Sequence, residues 1–266
     1  MTVNSRDKRR RALGGAALAA TLLLAACGGG EQTTRFRATR VVAFGDESSL
    51  IVDSRGDANG NKYTLNATVS ATDQTIVCGA NPIWVQSAAS LYGLVFPHCN
   101  PGATAVVNPT SRIRAALGAR AADLGAQIDA QQADSPLVAG DLVTVLVGKH
   151  DIVAEYQTYP AQSEAQLIAN VEAQGALVGR QVNRLGDLGA KVLLATIVDV
   201  GVTPFAVAER AAHADIDRAA LLSRLSQRFN ASLRATIVND GRRIGLILLD
   251  ELVTSIAKFP GLLAFT

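Results

Sequence analysis

Side chains that can do chemistry follow several short apolar runs of the chain, each at the point where the run ends. One run ends in Gly45-Asp46-Glu47-Ser48, and a later one ends in Gly148-Lys149-His150-Asp151. A serine hydroxyl can act as a nucleophile and a histidine as its general base, so Ser48 and His150 could form a dyad. The carboxylates of the first segment and His150 could instead hold a metal ion. We favour the plainer interpretation, in which these side chains hydrogen-bond one another and no metal is held.

The apolar runs that precede these residues predict a parallel sheet. They are short, continuous and rich in β-branched residues, as strands buried on both faces are. Longer stretches with helical spacing lie between them, which predicts an α/β fold with a doubly wound sheet in three layers. Ligands of such sheets bind at the carboxyl ends of the strands, where the polar residues fall. The predicted strands are residues 40–44, 141–147, 191–198 and 244–249, and the predicted helices are residues 82–91, 119–131, 163–188 and 215–238.

The segment of residues 51–77 interrupts this alternation. Asn59-Gly60 is a hairpin signal, and residues 63–69 alternate as a half-buried strand does. The aspartates and asparagines of the segment could suggest calcium, but no glycine falls at the sixth position of an EF-hand loop. We therefore interpret the cluster as turn chemistry. Asn81, just beyond the segment, is placed to cap the helix predicted over residues 82–91.

The start of the chain has the three parts of an export signal. Residues 1–11 are basic, and residues 12–26 are apolar but too short for a permanent membrane helix. Leu24-Ala25-Ala26 then precedes Cys27, which resembles the lipobox of bacterial lipoproteins. The resemblance implies a diacylglycerol and an N-acyl chain at Cys27, enough for stable anchoring in membrane lipid. An ordinary cleaved signal or a buried apolar segment is the alternative.

The organisation that follows is one lipid-anchored domain. We expect residues 1–26 to be removed, residues 27–39 to form a polar tether, and residues 40–266 to form the domain. The net charge of +2 falls close to zero without the basic leader, so nucleic acid is not an expected partner. Nothing in the sequence calls for a cofactor. We expect the protein on the periplasmic side of the envelope, and Gly28, which is not the aspartate of inner-membrane retention, favours the outer membrane.

Two further cysteines, Cys78 and Cys99, lie in the predicted domain. An exported chain meets an oxidising compartment, where such cysteines are usually bridged. We expect a Cys78–Cys99 disulfide that closes the segment around Trp84. Two buried free thiols are the alternative.

Six motifs in order along the chain carry a family resemblance. Residues 41–50 are a strand that runs into Gly-Asp-Glu-Ser, and residues 141–151 are a strand that leads into Gly-Lys-His-Asp. These two resemble the first and third blocks of the SGNH/GDSL esterases and lipases, particularly the lipoprotein members of proteobacteria. The resemblance covers nearly the whole chain after the leader, and it implies the three-layer α/β domain of that family. The other matching segments are residues 81–94 with Trp84, 118–120 with Gly118, 188–204 and 228–233.

The resemblance also implies roles for particular residues. In that family a serine attacks the ester carbonyl, and backbone and asparagine N–H groups stabilise the oxyanion. The nucleophile position is occupied here by Glu47, and Ser48 could act only if the turn shifts by one residue. Gly118 fits as an oxyanion donor, and His150 stands where the asparagine would be. Asp151 matches an aspartate that mostly holds its loop.

The late Asp-x-x-His motif of the family, which supplies the base and its orienting carboxylate, has no counterpart before Thr266. The three histidines are His98, His150 and His213. His213 precedes the last predicted strand and is expected to be an exposed loop or cap residue. Asp250-Glu251 follows that strand, where the family often starts a helix. We expect the catalytic block to be missing, through genuine loss or a truncated reading frame.

Three functions are therefore open. The first is a degenerate, pseudo-enzyme member of the family whose pocket binds an acyl-ester or glycan ligand, or nothing. The second is an active carboxylic-ester hydrolase or lipase that uses Ser48, with Gly118 and His150 in the oxyanion region. The third is a purely structural envelope lipoprotein. Glu47 and the missing late histidine favour the first, because a family fold does not prove activity.

Overall fold

The computed structural model describes residues 35–263, and a sheet of five parallel strands lies at the centre of this part. The strand order is β6-β1-β7-β8-β9. Two short antiparallel pairs, β2 with β3 and β4 with β5, lie outside the sheet. In chain order the strands are β1 (Arg40–Gly45), β2 (Ile51–Val52), β3 (Asn61–Lys62), β4 (Ala67–Thr68), β5 (Ile76–Val77), β6 (Arg112–Ile113), β7 (Asp141–Leu146), β8 (Lys191–Ala195) and β9 (Ile244–Ile247).

Helices flank the sheet, so the predicted three-layer α/β class is confirmed. The helix Glu164–Asp187 packs closely on the helix Arg218–Thr236, because glycines of the first helix lie against the backbone of the second. A Cβ atom at Gly175 would lie 2.3 Å from the carbonyl oxygen of Phe229. In chain order the helices are α1 (Trp84–Ser90), α2 (Leu124–Asp134), α3 (Lys149–Tyr156), α4 (Glu164–Asp187), α5 (Pro204–Ala212), α6 (Arg218–Thr236) and α7 (Leu249–Lys258).

The central strands form where the apolar runs predict them. Every residue of β7 is buried, as the continuous run requires. The predicted strands extend too far mainly at their carboxyl ends. β8 ends at Ala195, and β9 ends at Ile247 because α7 begins two residues later. α6 begins at Arg218, three residues after the predicted start, because the Asp217 side chain accepts the N–H of Ala220 and caps the helix there.

Two helix predictions need correction. Asn81 does not cap α1, because its φ of 49° turns the chain away. The Gln86 side chain instead accepts the N–H of Ile83 at 3.0 Å. The helix predicted over residues 119–131 is divided into a short 3-10 turn, Ala121–Asp123, and α2.

The segment of residues 51–77 is less regular than predicted. Asn59-Gly60 does not form a tight hairpin, because the N–H of Gly60 is donated to the distant carbonyl of His98. The strand predicted over residues 63–69 is reduced to β4, since Asn66 hydrogen-bonds both the N–H and the carbonyl of Lys62 and turns the chain. Asp53 accepts the N–H of Ala58 at 2.9 Å, which agrees with turn chemistry.

The predicted Cys78–Cys99 disulfide is confirmed, with the two Cα atoms 5.6 Å apart. Lys62 stabilises the same region through buried hydrogen bonds. Its side chain is almost fully buried, and its ammonium donates to the carbonyl oxygens of Cys78, Ala80 and Asn81. Burial lowers the pKa of Lys62. The disulfide and this lysine therefore tie the short antiparallel pairs to the chain that leads into α1.

The export signal, the lipobox and Cys27 lie outside the described residues. Among the residues that are described, no helix is both long and apolar enough to cross a membrane.

Candidate functional site

The site is built where β1 and β7 end side by side. Gly45 has a φ of 116°, and a Cβ atom there would lie 2.0 Å from the carbonyl oxygen of Leu146, so this position must be glycine. The N–H of Asp46 is donated to the same carbonyl at 3.1 Å. The side-chain amide of Gln127 binds both the N–H and the carbonyl of Gly45. These contacts fix the direction in which the following residues leave the sheet.

Asp46 shapes the short 3-10 turn that follows, Glu47–Ser49. Its carboxylate accepts the N–H of Ser48 at 2.8 Å. The Asp46 side chain is fully enclosed, and this burial raises its pKa, although the nearby Lys149 ammonium acts in the opposite direction. At the end of the turn, the indole N–H of Trp84 is donated to the hydroxyl of Ser49 at 3.0 Å. Asp46 and Trp84 therefore hold the turn at both ends.

The carboxylate of Glu47 is bound by three donors. The N–H of Gly118 is donated to Oε2 at 3.0 Å, Lys149 Nζ lies 2.7 Å from Oε1, and His150 Nε2 lies 2.8 Å from the same oxygen. Gly118 has a φ of 71°. Burial opposes the charge of Glu47, but the hydrogen bonds from Lys149, Gly118 and His150 outweigh it and lower its pKa to about 2. The structure thus brings together Glu47, Gly118 and His150, which the sequence placed in one site.

The Ser48–His150 dyad, which was the less favoured interpretation of the sequence, is not formed in this structure. His150 is engaged by Glu47, and the group next to Ser48 is Lys149, whose Nζ donates to the hydroxyl at 3.1 Å. The sequence analysis placed Lys149 in the segment after the strand but gave it no role, so its contacts with Ser48 and Glu47 were missed. Its position directly after Gly148, at the carboxyl end of β7, was the signal that could have found it.

Asp151 holds the loop that carries Gly118, as expected for its position. Its two carboxylate oxygens lie 2.9 and 3.2 Å from the backbone nitrogen of Ala121, which donates to them. Burial raises the pKa of Asp151 to about 6, since the N–H of Ala121 and the charge of Arg120 compensate only part of the loss of water.

A cavity of about 260 Å³ opens beside the turn, and its lining is largely apolar. Asp46, Ser48, Thr64 and Lys149 supply its polar groups. We call this space the Ser48 cavity. Its apolar wall is formed by Tyr63, Ile83, Trp84, Leu146, Ile197, Val198 and Leu249.

A metal ion does not fit this arrangement well. One ligand atom from each of Asp46, Glu47 and His150 lies within 4.8 Å of the others. However, the Lys149 ammonium already lies 2.7 Å from Glu47 and 3.7 Å from Asp46. A divalent cation would have to displace this charge or tolerate it at close range.

Asp250 and His213, the remaining candidates from the sequence, lie away from this site. Asp199 and Asp250 line a separate polar cavity of about 390 Å³ beyond β8 and β9. Asp250 lies in the first turn of α7, where an aspartate was expected. Its carboxylate is occupied by the hydroxyl of Thr196 at 2.7 Å and by Arg234 at 2.6 Å. His213 ends α5 and pairs with Glu209, so its expected role as a cap residue is confirmed.

Comparisons with known proteins give limited information. No family model and no curated protein matches the sequence. Among solved structures, protein YxiM from Bacillus subtilis is similar over 88% of this chain and 48% of its own, at 18% identity and a TM-score of 0.36. The chain thus spans about half the length of YxiM. The α/β class rests on the sheet described above.

The three donors around Glu47 predict a pH-dependent contribution to stability. Glu47→Gln keeps the size of the side chain and removes its charge. Because folding lowers the pKa of Glu47 from 4.5 to about 2, its ionised form stabilises the fold above pH 4.5, and this contribution is lost as the pH falls toward 2. We expect the variant to lose about 1–2 kcal/mol at neutral pH, allowing for screening by water.

The measurement is chemical denaturation of both proteins across this pH range. The difference in the free energy of unfolding between the two proteins should vanish as the pH approaches 2. The titrations of Asp46 and Asp151 contribute nearly equally to both proteins, because both contain these residues, and so largely cancel. Glu251→Gln is the matched control, since Glu251 is exposed and its ion pair with Arg234 is long, at 3.4 Å. A pH-independent difference would contradict the assignment.

Proposed function

We propose that this protein is a degenerate member of the SGNH/GDSL hydrolases, anchored in the cell envelope through a lipidated Cys27, and that it does not hydrolyse esters. The observation that carries the proposal is the bound carboxylate of Glu47. It lies against the N–H of Gly118, the group that the family resemblance assigns to the oxyanion. The position at which negative charge would develop during ester hydrolysis is thus occupied by the Glu47 carboxylate of the protein itself.

Electrostatics argues against catalysis with Glu47 in place. Ester hydrolysis develops a negative charge on the carbonyl oxygen, which must be met by unoccupied donors about 3 Å away. Here the donors already face an ionised carboxylate, whose pKa is lowered to about 2. A second negative charge at that distance is repelled. Glu47 is also a poor nucleophile for esters.

Ester hydrolysis through Ser48 is the second candidate function, and one observation favours it. Ser48 borders the Ser48 cavity, and Lys149 Nζ lies 3.1 Å from its hydroxyl. A lysine can activate a serine only as the free amine. Lys149 Nζ also lies 2.7 Å from the Glu47 carboxylate, so the group beside Ser48 is already engaged as an ion-pair partner, which opposes that role. The largely apolar lining would suit an acyl group better than a glycan.

Hydrolysis of short p-nitrophenyl esters by the full-length protein in detergent tests the two candidates. We expect no turnover above the buffer rate and no labelling by a serine-directed fluorophosphonate. Ser48→Ala should therefore change nothing. Ser90→Ala is the matched control, since Ser90 lies on α1 and does not line the Ser48 cavity. Turnover or labelling that disappears in Ser48→Ala but survives in Ser90→Ala would refute the degenerate assignment.

Anchoring through Cys27 is tested separately. The resemblance to lipoboxes predicts that cells fed radiolabelled palmitate incorporate the label into this protein, and that Cys27→Ala abolishes it. The unchanged protein should fractionate with membranes. Equal label in Cys27→Ala, or an unlabelled protein in the soluble fraction, would contradict the anchor and leave the assignment of the site unaffected.

A further inference from the structure

A second cavity, larger than the Ser48 cavity, lies on the other side of α1. Its volume is about 640 Å³, which is in the range of small-molecule binding sites. Cys78 and Cys99 of the disulfide border it, so the cross-link holds part of its wall. None of its lining residues lines the Ser48 cavity. We call it the disulfide cavity.

Among the residues that the structure describes, those that line the disulfide cavity include no acidic, basic or histidine side chain. Its floor includes Ala89 and Phe96, both fully buried, and Leu94 and Val95 continue it. A ligand that fills this space therefore meets hydrocarbon and no charge, which excludes ionised groups from the interior because their burial would be uncompensated.

The amide side chains in the wall are turned back onto the protein. The amide of Asn59 donates to the carbonyl of Ile76, and its oxygen accepts the N–H of Cys78. Asn100 bonds the backbone of residues 105 and 106 in the same way. Gln86 donates to the carbonyl of Cys78 and accepts the N–H of Ile83. These amide side chains stabilise the wall by hydrogen-bonding the protein backbone. They therefore offer few further hydrogen bonds to a ligand.

The hydroxyls in the wall are likewise occupied. Ser90 donates to the carbonyl of Ser87 at 2.8 Å, and Thr104 donates to that of Pro101 at 3.0 Å. The Thr75 hydroxyl bonds the carboxylate of Asp73. A sugar or a nucleotide would find few free partners here, so recognition must come from apolar contact.

The mouth of the cavity is apolar as well. Val69, directly after β4, and Val77 of β5 border it, and they are 59% and 38% exposed. Exposed valines at the edge of an apolar cavity gain contacts when an apolar ligand enters. We propose that the disulfide cavity is a binding site for an uncharged aliphatic chain, separate from the Ser48 cavity.

Photolabelling of the full-length protein in lipid nanodiscs tests this site. The probe is decanol carrying a diazirine on its chain, and labelled peptides are mapped by mass spectrometry. We expect saturable labelling of residues 69–105 that excess unlabelled decanol removes and excess maltose does not. Unsaturable labelling, or labelling spread evenly over the surface, would overturn the proposal.

Variants at the mouth make the test specific. Val77→Asp puts a charge at the entrance and should reduce labelling at least about tenfold. Val207→Asp is the matched control, because Val207 is 50% exposed on α5 and does not line the cavity. Equal labelling of the two variants would overturn the assignment. If circular dichroism shows that Val77→Asp is unfolded, Ser90→Trp replaces it, since a bulky side chain there should obstruct part of the cavity and also reduce the label.

A second probe distinguishes whether the bound aliphatic chain belongs to a membrane lipid or to a free amphiphile. A phospholipid with the diazirine on its acyl chain, incorporated in the nanodisc, labels the same peptides if the natural ligand is a membrane lipid. Labelling by decanol alone assigns a free amphiphile, and either result supports an aliphatic site. Ester hydrolysis is a separate readout, so failure here leaves the proposed loss of catalysis untouched.

Discussion

The binding of the Glu47 carboxylate by the N–H of Gly118, Lys149 and His150 is the interaction on which the site depends. It joins the loops that follow β1 and β7 to the loop that carries Gly118. Because these donors converge on one carboxylate, a group that would be costly to bury alone becomes a stabilising contact. In the function that we propose, the same contact occupies the donor that an ester hydrolase would keep free for its substrate.

The sheet makes this contact possible by placing chain segments far apart in sequence side by side. β1 and β7 pair in parallel along their length, so Gly45 and Leu146 face each other where the strands end. The contact between their backbones admits no side chain at Gly45. Outside the sheet, the disulfide and Lys62 organise a region with an apolar cavity of its own. The two cavities differ in chemistry because they are built from different elements.

Much of this could be predicted from the sequence, for physical reasons that also explain the failures. Strands such as β7 are visible because burial on both faces demands a continuous apolar run. The meeting of Glu47 with His150 follows from the adjacent carboxyl ends of their strands. The partner of Ser48 did not follow, since the direction of Lys149 is set by two carboxylates rather than by local sequence. Asn81 failed as a cap because its positive φ turns the chain away and the helix begins only at Trp84, with Ile83 in the cap position.

The side-chain pKa of Glu47, measured by carbon-13 NMR titration of the labelled carboxyl group, tests the central claim most directly. Assignment is made by comparison with Glu47→Gln. The account predicts a midpoint of about 2, far below the ordinary value of 4.5, because the three donors stabilise the ionised form. A midpoint at the ordinary value would mean that the carboxylate is not held by these donors, and the argument against catalysis would lose its basis.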